Sequence, residues 1–242
     1  MLKKIASNYL DKEADWKAPL RRYNNGIVLP AGSMPANATA TDYALKIAKS
    51  AEYLRSRPDA GDWRETGKIP NIIRSEFAGK GKCNVLPAAT MHHAFGKNKK
   101  NIMTNSETGR LMTANQMYDL IKPGPWKRQK FDGQVINVPE NLRPYALGAV
   151  HVAHRPDGHG HAGIITAPFN TTSAATAKGI VRNNWGYRPE NNPSNTQAAY
   201  ILPKNVNSQD ALNTAKSIKY IDDNTNLLNQ AKPFKPFQRF MN

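Results

Sequence analysis

Helix-forming and strand-forming patterns are segregated along this chain, and that order restricts its fold more than any single motif. Tyr43, Leu45, Ile47, Ala48, Ala51 and Leu54 form an apolar helical face that Thr41 or Asp42 can cap and that ends near Arg57. Val85 to Phe95 has helix-compatible spacing with Pro87 in the first turn. Thr113 can cap a third helix, Ala114 to Ile121, stopped by Pro123-Gly124-Pro125. After an irregular connector, Trp126 to Pro144, the pattern changes. Ala146–Ala153, Ala162–Ala167, Gly179–Trp185 and Ala198–Leu202 are short, β-branched or alternating, and joined by turn-rich loops. They predict an antiparallel meander. A weaker helical pattern follows from Ser208 to Leu228. Helices first and strands second make the class α+β.

The 242 residues suffice for a real core, although only 39% are hydrophobic. We expect one domain over 1–242, with a core at about 41–205. An N-terminal arm of 1–40 precedes it, and a C-terminal helix and tail of 206–242 follows. The tail repeats a basic-Pro-Phe unit from Lys232 to Phe240. No apolar run approaches the ~20 residues that span a bilayer, so no membrane insertion is expected. Met1 to Lys12 starts like a signal peptide but lacks a continuous apolar stretch, which argues against a Sec signal. With no heptad and no evident apolar patch, the expected state is a monomer.

The chain has one cysteine, Cys83, which excludes an internal disulfide framework and a cysteine-rich zinc site. It lies in Gly79-Lys80-Gly81-Lys82-Cys83-Asn84, at the start of the second helix. A helix N-terminus and nearby lysines favour a thiolate, and paired glycines permit a substrate-lined loop. A nucleophilic cysteine needs a base brought from elsewhere in the sequence. Gly158-His159-Gly160-His161-Ala162-Gly163-Ile164-Ile165-Thr166 offers one, with His161 at the start of a buried strand. A third polar group usually orients the imidazole. Asn183 and Asn184 are the candidates, and alternation lets only one of them face inward.

These blocks resemble a family. Gly-Lys-Cys83-Asn84, Met112-Thr113-Ala114-Asn115-Gln116-Met117-Tyr118, Leu147-Gly148-Ala149-Val150-His151-Val152-Ala153 and Gly160-His161-Ala162-Gly163-Ile164-Ile165 follow one another as in the NlpC/P60 and CHAP cysteine peptidases and amidases. The resemblance covers about 67–187. The basic format is most similar to the peptidoglycan amidase effectors delivered by type VI secretion. The chain departs from the family's pattern at Ala149, where Asp is usual, and at Pro87.

The resemblance implies a papain-like core with no cofactor and no metal. Cys83 would attack an amide of a peptidoglycan stem peptide. His161 would serve as base and then as acid, and Asn183 or Asn184 would hold the ring. Asn84, Lys82, His159 and Trp185 would line the substrate cleft. The backbone N–H of Cys83, with a donor from the preceding loop, would receive the oxyanion. It also implies an antibacterial toxin that leaves its cell without a Sec signal, through secretion machinery, and acts in the periplasm or wall of a target bacterium.

Thirty-four Lys and Arg against 18 Asp and Glu give a net charge of +16. That field suits anionic wall polymer and an acidic immunity protein. Nucleic acid is not an expected partner: the clusters at Lys97, Lys99 and Lys100, and at Lys127, Arg128 and Lys130, accompany no binding motif. Two rival chemistries fit the same residues. One is an acyltransferase or deamidase toxin on lipid or protein. The other is a metal hydrolase built on His151, His154, His159 and His161 with Asp157.

Overall fold

The computed structural model describes residues 38–65, 67, 81–95, 111–122, 134–155, 160–188, 195–204 and 206–230. Residues 1–37 of the arm, the tail after 230, both basic clusters, Asp157 and His159 lie outside the described residues, while Thr39 and Ala40 belong to the first helix and its cap.

The fold is mixed, with four α-helices and an antiparallel sheet among the described residues. Helix α1 is Ala40–Ser56. Thr39 and Asp42 cap it reciprocally, each side chain accepting the other's backbone N–H, which satisfies two otherwise free donors. The cap is therefore Thr39, not Thr41 or Asp42. Ala40, Ala44, Ile47, Ala51 and Leu54 fall on one buried face. Helix α2 is Val85–Phe95, α3 is Ala114–Ile121 and α4 is Ser208–Gln230. Thr113 and Gln116 repeat the reciprocal cap on α3. No helix among the described residues is long and apolar enough to cross a membrane.

Six strands form the sheet: β1 (Gln134–Asn137), β2 (Val150–Ala153), β3 (His161–Ala167), β4 (Asn170–Ala175), β5 (Gly179–Asn183) and β6 (Thr196–Leu202). Their order is β1-β6-β2-β3-β4-β5, every neighbouring pair antiparallel. The expected meander is thus corrected in three places, the first being β1, which lies within the segment 126–144 expected to be an irregular connector. A strand absent from the sequence reading, β4, intervenes between β3 and β5. The last strand returns to the far side of β2 and takes β1 as its other neighbour. Strands β2 and β6 register from Val150–Ala199 to Ala153–Thr196.

Both faces of the central strands are covered, and all four residues of β2 are buried. On one face, Ile164 of β3 registers with Thr172 of β4, and Thr172 donates to the Glu52 carboxylate of α1. That face carries Val150, Val152, Ala162 and Ile164 into the main core with α1 and α3. Glu52 is buried, and Arg55 and Arg182 supply its counter-charges, with Arg55 Nη2 at 2.7 Å. Gly148, at φ +82°, lets the α1 backbone approach so closely that a Cβ there would sit 2.0 Å from Ala44 O. The opposite face carries His151 and Gly163, register partners across β2 and β3.

Candidate functional site

Cys83 is fixed by the residues on either side of it. Val85 and Leu86, the first two residues of α2, are buried with Leu54, Trp63, Ala174 and Ile180. Each such apolar side chain contributes about 1.5–3 kcal/mol when fully buried. The Lys82 carbonyl accepts from Val85 and Leu86 N–H and starts the helix. The Lys82 ammonium is buried and donates to the carbonyls of Arg64 (2.6 Å) and Glu65 (3.3 Å). Burial holds its pKa below the ordinary lysine value. Glu65 N–H in turn reaches Thr176 O in the β4–β5 turn, 2.8 Å away. Lys82 is thus a strut between α2 and the sheet, not a charge offered to substrate. Asn84 Nδ2 donates to Met112 O at 2.8 Å, which ties α2 to the start of α3.

The thiol meets the sheet at the start of β3. The Cys83 thiol donates to Gly160 O, 3.8 Å from Sγ, and so touches the backbone just before His161. Burial pushes the thiol pKa up. Backbone N–H groups of Ala162 and Asn84, and the charge of Arg155, work against that rise. At Gly160 a Cβ would lie 2.3 Å from Asn115 Oδ1 and 2.7 Å from Ala153 O, so only a glycine brings the chain this close to α3.

The His161 ring is held by Ser173, whose Oγ lies 3.0 Å from Nε2. Neither asparagine candidate does this. Asn183 Oδ1 accepts the Trp185 N–H at 3.0 Å, and Asn184 Oδ1 accepts from Arg188 Nε at 2.7 Å. The physical reason is the extra strand. β5 lies two strand spacings from β3, about 10 Å, whereas β4 is adjacent. Ser173 reaches the ring because Gly163 has no side chain. A Cβ at Gly163 would lie 2.9 Å from Ser173 Cβ and 2.7 Å from Thr171 Cγ2. Nε2 is engaged by Ser173, and Nδ1 makes no hydrogen bond among the described residues.

Trp185 walls the site. Its ring meets His161 edge to face at 4.6 Å and stacks on His151 at 4.7 Å. Tyr187 also stacks on His151, at 4.9 Å. Asn183 is what folds these aromatics back over the sheet, since its side chain caps the turn Trp185–Tyr187 that carries them. His151 is 0% exposed, and its Nδ1 pairs with Thr171 Oγ1 at 2.9 Å. Burial lowers its pKa to about 3, with Arg143 and His161 adding to the fall. Burial lowers His161 to about 4, and Arg155 contributes. Both rings are neutral over the physiological range.

His154 and His93 do not converge here. His154 sits beside Tyr118, and His93 stacks on Tyr53 with Nδ1 3.0 Å from Ser50 Oγ, against α1. Among the described residues, no group of three His, Cys, Asp or Glu is placed to hold a metal ion. Two participants were invisible in the sequence reading. Ser173 belongs to Asn170-Thr-Thr-Ser-Ala-Ala175, where the β-branched threonine pair after Pro168-Phe169 was the available strand signal. Arg155 carried no signal beyond its place after β2.

Cys83 Sγ thus lies at the backbone just before His161, while strand alternation places the His161 ring on the sheet face of Gly163 and His151. Comparison with protein-family models, curated proteins and solved structures finds no match.

Proposed function

We propose that the chain is a cysteine amidase of the papain-like NlpC/P60 type, acting on amide bonds in the peptide stems or crosslinks of peptidoglycan. The observation that supports this reading is the contact of Cys83 Sγ with the carbonyl of Gly160, the residue before His161, whose ring is held by Ser173. An oriented base beside a cysteine at a helix start suits acyl transfer.

The reaction follows from the neutral resting pair. Cys83 Sγ bonds to the amide carbonyl carbon while His161 Nδ1 takes the thiol proton. N–H groups at the start of α2 face the oxygen on which charge develops; one preorganised donor of this kind contributes about 3 kcal/mol. The C–N bond then breaks as Nδ1 returns the proton to the leaving nitrogen, and a thioester remains. Water, deprotonated by Nδ1, attacks the thioester and releases the acid and the free thiol. Trp185 restrains the ring and excludes water from one side.

The charge of +16 supports accumulation on anionic wall material and an acidic inhibitor protein. A toxin role in the periplasm of a target bacterium belongs to the same proposal.

Mass analysis of muropeptides after incubation with purified wall tests it. Wild type should release new peptide or amine termini; Cys83→Ala and His161→Ala should not, while melting like wild type. Unchanged muropeptides from a wild type that cleaves another amide would overturn the wall substrate in favour of a protein or lipid amide.

A further inference from the structure

Arg155 is the one described cation beside the reacting pair that the chemistry above does not use. It follows β2 by two residues, and Ala153 at the end of β2 registers with His161. Asn115 grips its backbone from both directions: Nδ2 donates to Arg155 O at 3.1 Å, and Oδ1 accepts Arg155 N–H at 3.3 Å. The same Asn115 side chain abuts Gly160, whose carbonyl meets Cys83 Sγ. The root of Arg155 is therefore clamped to the strand pair that carries the base. Its side chain is exposed, and among the described residues no carboxylate pairs with it.

The charge of Arg155 reaches both Cys83 and His161, favouring the thiolate and opposing the imidazolium. Those effects have opposite sign for forming the charged pair. An exposed guanidinium with no carboxylate partner among the described residues is available to an incoming anion. Its planar fork matches a carboxylate, which it binds through two parallel N–H···O bonds.

We propose that Arg155 is the anchor for a substrate carboxylate lying next to the scissile amide. Resting on the amidase reading above, this narrows the substrate class: a peptide with a free carboxylate beside the cut bond, as stem peptides carry, and not its carboxamide counterpart. Asn115 is the positioning residue that aims the anchor.

The test compares a free-acid stem tetrapeptide with the same peptide whose carboxylates are converted to carboxamides. The ratio of kcat/KM between the two is measured for full-length wild type, Arg155→Ala and Arg155→Lys. Binding of both peptides to Cys83→Ala, with and without Arg155→Ala, is measured by calorimetry, which needs no turnover. Wild type should prefer the free acid by about tenfold or more, the scale of one lost charge-assisted pair. Arg155→Ala should bring that ratio near one, and Arg155→Lys should retain part of it. A ratio or a binding preference unchanged in Arg155→Ala overturns the anchor. Failure of the amidase reading looks different: Cys83→Ala would degrade wall material as wild type does.

Discussion

His161 and Ser173 come from adjacent strands, and their Nε2–Oγ separation of 3.0 Å exists because Gly163 leaves the space between them empty. A hydroxyl, not an amide or a carboxylate, orients the base. Serine cannot bear a negative charge here, so it fixes the ring without stabilising an imidazolium by charge. That matches a site whose histidine rests neutral.

Removing that hydroxyl should leave the fold intact and misaim the ring. Ser173→Ala is expected to lower kcat on wall substrate by about 10- to 100-fold, the range in which small misplacements of a catalytic group act. Thermal melting close to wild type, together with the lowered kcat, is the expected pair of results. A kcat equal to wild type would remove Ser173 from the site.

The raised thiol and lowered imidazole predict a distinctive pH response. Iodoacetamide alkylation of Cys83 should be slow at neutral pH and should climb with pH through and beyond the ordinary thiol range. A preformed thiolate–imidazolium pair would instead react rapidly at neutral and mildly acid pH. Turnover should hold from neutral pH down toward about 4 and fall below it, where His161 takes a proton and can no longer act as base.

The same two rings link stability to pH. Their folded pKa values, about 3 for His151 and about 4 for His161, lie below the ordinary 6.5. The unfolded chain therefore binds these protons first as pH falls. This contribution to stability is complete above about 6.5 and is lost between there and about 3. Urea unfolding at pH 7 and pH 4.5 should show a lower free energy at the acid pH. His151→Phe, which keeps the aromatic stack and removes one titrating ring, should reduce that difference.

Gly186 passes directly over the His151 ring. An added Cβ would lie 2.1 Å from Cε1 and 2.8 Å from Nε2. Gly186→Ala must displace the ring or lift Trp185 and Tyr187, at a cost of about 1–3 kcal/mol typical of overpacking. Gly61→Ala is the matched control, since a Cβ there meets nothing within 4 Å. Differential melting of the two variants checks the contrast, and activity should fall with Gly186→Ala because Trp185 also walls His161.

Much of this was legible in the chain. Capping residues are local signals, so Thr113 placed the start of α3, and Thr41 or Asp42 placed that of α1 to within two or three residues of its actual cap, Thr39. The Cys83 helix start and the His161 strand start were equally local. What failed was pairing. β4 is polar, Thr-Thr-Ser, because its threonines serve a buried carboxylate and a buried histidine and not an apolar face. Periodicity reads hydrophobicity and passes over such a strand. Missing β4 made β5 look adjacent to β3, and the ring was assigned to Asn183 or Asn184. Lys82 misled for a related reason: a lysine in a glycine-rich loop reads as exposed, yet its ammonium supplies donors that buried carbonyls lack.

The position of β6 sets the order in which the molecule can come into being. It is the last strand to leave the ribosome, and both of its neighbours, β1 and β2, are made earlier. Until residues 196–202 emerge, each of those strands keeps a bare hydrogen-bonding edge, and β2 is the strand on which β3 and its histidine rest. A nascent or prematurely terminated chain is thus held open at its centre. The hairpins on one side of the sheet are local and fast to form, but the finished sheet waits for a closing stitch from the far end of the chain. Emergence of residues 196–202 and assembly of the support for β3 become nearly one event.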